Sequence, residues 1–406
     1  MNVIFVAPNF PDYQRHFVRA LKQVGARVIA IDETPYDWLK PEVQQNIDEY
    51  EQVPSVTDTG ALYDAVKRVQ ARHWVDRLEA TIESHMLPVA EVREACTIPG
   101  LTVEQTTICR DKTKMKDFMR EHSIACAASI KADTTQEVLA FVKQHGYPII
   151  LKPIDAAGAA STYRADDDVS LRRILHEISA SGLSEIAVEE FVEGHEGFYD
   201  TLVMSGEVRH EFISHYYPNV LEAMRTRWIS PVIITTNRVD APTYNEVKAM
   251  GHKVIKALGF STTPTHMEWF FGDKGLKFSE IGARRPGVGQ WDLYCIANDI
   301  DIYGEWASGI VHGSSGGMLS RNYASAIISL RPTQDGHISG YKGVDAMQDK
   351  YGQWVTAAHF PPVGTPTQPV SAGYKANAWV QIKFPNYDDL RGILEDIGQS
   401  ITVIAS

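Results

Sequence analysis

The stretch THMEWFFGDKGLKFSEIGARRPG, residues 265–287, is typical of a β-hairpin. Two apolar segments flank a turn that runs from Gly272 to Gly275, and glycine permits the backbone conformations of a tight turn. Glu268 and Glu280 lie almost symmetrically about this turn, so we expect them to face each other with Cβ atoms about 5 Å apart. Two carboxylates at this spacing repel unless a cation lies between them, and Mg²⁺ usually takes one or two protein carboxylates. The hairpin therefore predicts a magnesium site, the alternative being a pair of surface carboxylates.

The residues that flank the second glutamate predict a substrate contact. Arg284 follows Glu280 by four residues, where a guanidinium can hold a carboxylate or an acyl phosphate in a bidentate fork. The sequence favours Arg284 for this role and Arg285 for the protein surface. His266 precedes the first glutamate, and it is either a residue that supports the metal ligands or an ordinary strand histidine.

Two lysines and a small-residue loop predict an anion site upstream of the hairpin. In GYPIILKP a short apolar strand ends at Lys152, next to a loop, and Lys112 lies in the helical segment RDKTKMK. A lysine in such a place is a point charge suited to phosphate oxygens, although a solvated lysine is the alternative for each. Around Gly158 and Ser161 the side chains are small, so backbone N–H groups can approach a phosphate, as they also can in an ordinary turn.

The run AVEEFVEGHEGFYD, residues 187–200, predicts a hinge between two lobes. Backbone groups of residues 190–192 are placed to hydrogen-bond a purine edge, and Glu196 to bind a ribose diol. A charged edge strand is the alternative interpretation.

Taken in order, the segments RDK, ILKP with its small loop, EEFVEGHE, HMEW and SEIGARRPG resemble the ATP-grasp superfamily, in its carboxylate-amine (L-amino acid) ligase-like branch, over about residues 106–315. The resemblance implies ATP and Mg²⁺ as cofactors. It also implies a role for each matching position. Lys112 and Lys152 would bind the phosphates, the loop of Gly158, Ser161 and Thr162 would close over them, and adenine-binding groups would come from Glu189, Glu190, Phe191 and Val192. Glu196 would bind the ribose, Glu268 and Glu280 would bind magnesium, and Arg284 and Lys152 would act in catalysis.

One position departs from the family pattern. Many members carry asparagine two residues after the second glutamate as a further metal ligand, and here Gly282 occupies that position. One magnesium ion is therefore expected, and a second stays open.

Local sequence pattern predicts part of the fold. Apolar runs at residues 3–7, 28–31 and 77–82 alternate with helical spacing and predict a parallel α/β layer. Further along the chain, a turn at Ser205 and Gly206 lies between long strands, and a helix at about 243–257 ends near Gly259.

The resemblance implies an α/β (α+β) architecture, the ATP-grasp fold with added domains at both ends. The expected division has four parts: a Rossmann-like parallel α/β domain at 1–105, a small lid subdomain at 106–185, a large subdomain with the metal and substrate site at 186–315, and a β-rich lobe at 316–406.

The implied reaction is the ATP-dependent joining of a carboxylate to an amine through an acyl phosphate, releasing ADP and phosphate, with amino acids or short peptides as substrates. A biotin-carboxylase-like or purine-pathway ligase is one alternative, and an ATP-binding sensor without turnover is another. Candidates for the acceptor pocket are His215, Tyr216, Tyr217, Arg225, Arg227, Trp269, Trp291 and Tyr294.

Composition narrows the partners of the 406-residue chain. A net charge of −12 disfavours a nucleic-acid or anionic-lipid surface, and no apolar run approaches the roughly 20 residues of a membrane span. The four cysteines are scattered, which predicts reduced thiols in the cytoplasm. Small-molecule carboxylate and amine substrates are expected, and a homodimer follows only from the frequency of such assemblies.

Overall fold

The computed structural model describes residues 1–153, 162–180, 185–375 and 377–406. Its first domain has a four-stranded, all-parallel sheet in the order β3-β2-β1-β4. The elements are β1 Asn2–Val6, α1 Gln14–Gln23, β2 Arg27–Asp32, α2 Pro41–Gln45, β3 Glu49–Gln52, α3 Thr59–Gln70, β4 Arg77–Glu79, α4 Glu83–Ala95 and α5 Val103–Arg110. The prediction of a parallel α/β layer is confirmed. The sequence analysis missed β3, because the edge strand EYEQ has no apolar pattern.

The small subdomain has an antiparallel sheet in the order β5-β8-β6-β7. Its elements are α6 Lys112–Glu121, β5 Ser129–Ala132, α7 Thr135–His145, β6 Ile149–Pro153, β7 Tyr163–Ala165, α8 Asp168–Ala180 and β8 Ile186–Glu190. The expected boundary at 185/186 is therefore misplaced, because β8 pairs with β5 and β6 in this sheet and not with the strands that follow it.

The rest of the chain forms an eight-stranded antiparallel sheet, in the order β13-β12-β9-β10-β11-β14-β17-β16, and a separate two-stranded antiparallel sheet of β15 and β18. The elements are β9 His195–Met204, β10 Glu207–Tyr217, α9 Val220–Ala223, β11 Val232–Thr235, α10 Asn245–Leu258, β12 Thr263–Gly272, β13 Gly275–Gly282, α11 Gln290–Asn298, α12 Ile302–His312, β14 Ala324–Leu330, β15 Ile338–Lys342, α13 Val344–Tyr351, β16 Val355–His359, β17 Ala378–Phe384, α14 Tyr387–Ser400 and β18 Thr402–Ala405. Strands of the large subdomain and of the C-terminal lobe thus share one sheet.

The first domain packs directly on the large subdomain. Phe17 of α1 lies edge-on to Trp306 of α12, with ring centroids 4.9 Å apart, and Trp291 of α11 lies 5.4 Å from the same phenyl ring. Tyr294 is also buried in this part of the molecule. Core packing therefore accounts for Trp291 and Tyr294, which the sequence had offered as pocket residues. Among the helices of the described ranges, none is both long and apolar enough to cross a bilayer.

A glycine allows helix α10 to approach strand β9. A Cβ atom at Gly251 would lie 2.3 Å from Cε1 of Tyr199, which is fully buried. Alanine has a higher helix propensity by about 1 kcal/mol, but overpacking a core costs about 1–3 kcal/mol. We expect Gly251→Ala to lower the free energy of unfolding, measured by urea denaturation.

Gly392 of α14 is the matched control. It is exposed, and a Cβ there would have no heavy atom of the described residues within 4 Å. Gly392→Ala should therefore raise the free energy of unfolding by up to about 1 kcal/mol. An equal gain in both variants would contradict the close packing of α10 on β9.

Candidate active site

The hairpin places its two glutamates opposite each other. Glu268 of β12 pairs with Glu280 of β13, and Gly272 pairs with Gly275 at the turn. The register shifts between Glu268 and Trp269, because Ser279 is an extra residue in β13. Without this bulge, Glu268 would face Ser279. The prediction that Glu268 and Glu280 face each other is confirmed, and the bulge produces this pairing.

Glu268 lies at the end of a chain of polar side chains. Tyr216 donates from its hydroxyl to Glu268 Oε1 at 3.3 Å, and His266 Nε2 lies 3.5 Å from the same oxygen. His266 Nδ1 lies 2.6 Å from Asp200 Oδ1, and Tyr294 donates to the other oxygen of Asp200 at 2.5 Å. Burial alone would lower the pKa of His266, but Asp200 and Glu268 raise it to about 9. The His266 imidazolium therefore lies between the carboxylates of Asp200 and Glu268 and holds Glu268 in position.

Sequence reasoning missed Asp200. Its one signal is an acidic residue that directly follows Phe198 and Tyr199 in strand β9, since buried carboxylates are rare unless they are paired. Tyr216, by contrast, was among the candidate pocket residues, and it does reach the hairpin carboxylates.

Glu280 is paired with the first predicted lysine. Lys112 Nζ lies 2.7 Å from Glu280 Oε2, at the start of helix α6. Burial opposes ionisation of Glu280, but Lys112 and Lys152 lower its pKa to about 2. Glu280 is therefore an ionised carboxylate at neutral pH, with a lysine beside it that a phosphate could attract.

The second predicted lysine belongs to a buried triad. Lys152 Nζ lies 3.1 Å from Glu189 Oε2, and Lys116 Nζ lies 2.7 Å from the same oxygen. Burial would raise the pKa of Glu189, but the two lysines hold it far below its usual range. Sequence reasoning missed Lys116, although it follows Lys112 by four residues and so lies on the same face of α6. Glu189 orients two cations, while its predicted part in adenine binding stays a prediction.

The remainder of the predicted hinge is partly engaged within the fold. The backbone amides of Glu190 and Phe191 donate to the carbonyls of Ala128 and Pro148, at 2.9 and 3.2 Å. Val192 is half-buried just beyond β8. An adenine contact through this segment stays a prediction, and it would have to use groups other than those two amides.

The side chains of the same two residues are also occupied. The Glu190 carboxylate accepts from Lys274 at 2.5 Å, so the hairpin turn is linked to β8. The Arg164 guanidinium lies 4.1 Å from the centroid of the Phe191 ring. The first contact joins the small subdomain to the hairpin, and the second lies within the small subdomain.

Glu196 is a third carboxyl group near the hairpin pair. It is buried in β9 and its Oε2 accepts from the Val220 amide at 2.7 Å. Burial, and then the charge of Glu268, raise the pKa of Glu196 to about 8. At neutral pH this group holds a proton, and its predicted contact with a ribose stays a prediction.

The two arginines after the hairpin both contact the first domain. Arg284 Nε lies 2.5 Å from Glu83 Oε2, at the start of α4 in the first domain. Arg285 was expected at the surface, and this was wrong: it is 3% exposed and its guanidinium carbon lies 3.2 Å from the centroid of the Tyr13 ring. The difference arises because the first domain covers this segment, which no local pattern indicates.

The predicted phosphate loop falls largely outside the structure that can be described. Gly158 and Ser161 lie outside the described residues. Thr162 is the first described residue after this gap, and its carbonyl accepts a hydrogen bond from Arg225. Arg225, just after α9 of the large subdomain, therefore contacts the small subdomain. Arg227, the other arginine of that pair, lies 2.6 Å from Asp335 at the surface of the C-terminal lobe.

The donor set of the hairpin fits magnesium. Glu268 and Glu280 supply two hard carboxylate oxygen donors on neighbouring strands, and both side chains are partly exposed. No cluster of three or more His, Cys, Asp or Glu side chains that could hold a metal ion occurs among the described residues. Water and phosphate oxygens would complete the coordination of a magnesium ion at the hairpin pair.

Comparison with known proteins places this geometry in context. Residues 111–284 match the family model for the ATP binding domain of the carbamoyl-phosphate synthase L chain. The chain is 22% identical to the uncharacterized protein y4rH of Sinorhizobium fredii, over 82% of this chain and 68% of that protein. It is 26% identical to the L-arginine-specific L-amino acid ligase of Bacillus subtilis, over 58% of each chain, so the match spans little more than half of that ligase.

The fold has a solved counterpart. A crystal structure of an L-amino acid ligase from Bacillus licheniformis superposes with a TM-score of 0.77 at 17% identity, covering 100% of this chain and 98% of that one. At this identity the likeness establishes the fold alone. The hairpin, the small subdomain and the first domain are thus arranged as in that ligase.

Proposed function

Because the chain is an ATP-grasp protein of the carboxylate-amine ligase-like branch, we propose that it joins a carboxylate to an amine through an acyl phosphate and releases ADP and phosphate. Amino acids or short peptides are the proposed substrates. The observation that carries the proposal is the facing pair Glu268 and Glu280, with Lys112 on one side and Arg284 nearby. Burial would lower the pKa of Arg284, but Glu83, and less strongly Glu280 and Glu268, raise it.

Each charged group has a part in this reaction. Lys112 and Lys152 would leave their carboxylate partners to bind the nucleotide phosphates. Glu189 would keep Lys116 and Lys152 charged and in place. Mg²⁺ held by the two hairpin glutamates would neutralise charge on the transferring phosphoryl group. Arg284 would hold the acid in line for that transfer.

The test is a mixture of the full chain with ATP, Mg²⁺ and pooled amino acids, followed for ADP, AMP, phosphate and product mass. We expect ADP and phosphate to appear only when a carboxylic acid substrate is present. A product should appear with them whose mass equals acid plus amine minus water. AMP with pyrophosphate would contradict the acyl phosphate. ATP binding without any turnover would favour a sensor.

Arg284→Lys tests the proposed substrate contact. Lysine keeps the charge but loses the planar fork, so we expect kcat/KM for the acid to fall on the order of 100-fold. The KM for ATP should stay within about threefold, because the contact is to the acid. Arg173→Lys, at an exposed pair with Glu177 on α8, is the control and should behave as the wild type. A change confined to the KM for ATP would contradict this role.

A further inference from the structure

A group of nitrogen donors, three of them buried and one half-buried, surrounds the first turn of α11 and is not used by the site described above. We name this group the donor cluster, and its members are Arg285, Gln290, Lys375 and Gln381. Arg285, Gln290 and Gln381 are at most 3% exposed. Arg285 Nε and Nη1, Gln290 Nε2 and Gln381 Nε2 have no hydrogen-bond partner among the described residues. Such groups are costly to bury unpaired, which indicates a missing acceptor.

Two side chains of the donor cluster, Lys375 and Gln381, approach the same point beside Gly289. A Cβ atom at Gly289, which caps α11, would lie 2.6 Å from Lys375 Nζ and 3.2 Å from Gln381 Nε2. Lys375 contacts Trp379, with its Nζ 4.3 Å from the ring centroid, and forms no ion pair among the described residues. Burial lowers the pKa of Lys375; the charge of Asp292 opposes this, and the charge of Arg285 adds to it.

A counter-charge lies close by. Asp292 Oδ2 would lie 3.4 Å from the same Cβ position at Gly289, and its other oxygen accepts from Tyr303 at 2.9 Å. Two cations and one carboxylate leave a single positive charge. The first turn of α11 adds its own preference for an anion. A ligand with one negative charge would therefore balance the donor cluster.

The donor cluster adjoins the hairpin carboxylates. Arg285 directly follows Arg284, and Lys375 directly follows Tyr374. Tyr374 is buried, its hydroxyl has no partner among the described residues, and its ring lies 6.2 Å from that of Tyr216, which donates to Glu268. Tyr216 and Tyr374 thus connect Glu268 of the hairpin to the residue beside Lys375.

We propose that the donor cluster binds the free carboxylate of the amine substrate. The inference rests on the proposed function, in which Arg284 holds the acid that is activated. A second carboxylate site next to Arg284 must then serve the other substrate. The amine substrate is accordingly an amino acid or a peptide with a free carboxyl group, and not a simple amine.

The test compares amino acids with their amides. We would measure ligation of L-alanine, L-arginine and L-glutamine against the corresponding α-amides, in the wild type and in Lys375→Met. The wild type should use the free amino acids with a KM at least tenfold lower than its KM for the α-amides. In Lys375→Met the KM for the acids should rise at least tenfold, with kcat and the KM for ATP within about threefold, and the preference over the amides should disappear. Arg285→Lys keeps a positive charge, so we expect its KM for the free amino acids to rise less than that of Arg285→Met.

Control and binding measurements make the outcomes distinct. Lys350→Met removes an exposed lysine of the same lobe, paired with Asp396 at 2.9 Å, and should match the wild type. Thermal shift with each amino acid reports binding without turnover. If the wild type ligates and Lys375→Met keeps its preference for free acids, the inference is wrong while the proposed function stands. If nothing is ligated but the acids raise Tm in the wild type and not in Lys375→Met, the carboxylate site stands and the proposed function fails.

Discussion

Replacing Glu280 with glutamine should reduce ATP turnover by about 1000-fold or more. The substitution removes one of two facing carboxylates and places an amide N–H₂ where a hard anionic oxygen is needed. It also leaves Lys112 without its 2.7 Å partner. We would measure acid-dependent ADP release over a range of Mg²⁺ concentrations, and expect that no concentration restores the wild-type rate.

The control for this variant is Glu207→Gln, at an exposed position beside the β9–β10 turn. It should retain wild-type turnover. Glu268→Gln should lose as much as Glu280→Gln, because the two residues act as a pair. Turnover within about threefold of wild type in either hairpin variant, with the fold intact by circular dichroism, would show that the pair holds no catalytic metal.

Replacing Glu189 with glutamine should lower the free energy of unfolding by about 3–5 kcal/mol, because it leaves Lys116 buried without a counter-charge. The pKa of Glu189 lies below its ordinary value of 4.5, so its ion pairs stabilise the fold fully above that pH and lose their effect as the pH falls. Urea denaturation at pH 7 measures the loss.

A surface pair in the same subdomain is the control for Glu189. Lys131 lies 2.7 Å from Glu185, and both side chains are more than 40% exposed. Glu185→Gln should therefore cost about 0–1 kcal/mol. The double variant Glu189→Leu with Lys116→Met removes the buried pair together and should recover most of the lost stability. A loss in the double variant as large as in Glu189→Gln would mean that the unpaired lysine is not the cause.

Local sequence pattern predicted a large part of the fold. The parallel sheet of the first domain, the Ser205–Gly206 turn between β9 and β10 and the end of α10 at Gly259 are all confirmed. Each depends on residues that are near one another in the chain. Alternating apolar residues, turn glycines and a left-handed helix cap carry their physical cause within a few positions.

The candidate site was predicted in part for the same reason. Glu268 and Glu280 belong to one hairpin, so a turn of known length could place them opposite each other. Lys112 and Lys152 lie on separate elements, and their acidic partners, Glu280 and Glu189, followed from no spacing. Lys116 was overlooked because a buried lysine on an amphipathic helix has the same sequence pattern as an exposed one.

The sequence by itself determined which residues are proposed for the chemistry: the glutamates of the hairpin, the lysines at element ends, and Arg284. Tertiary structure decided how they are used. The bulge at Ser279 sets the register, and the first domain buries Arg285 and brings Glu83 to Arg284 across 201 positions of sequence. Burial and charge pairing over such separations depend on how the domains pack, and a pattern of neighbouring residues carries no record of that packing.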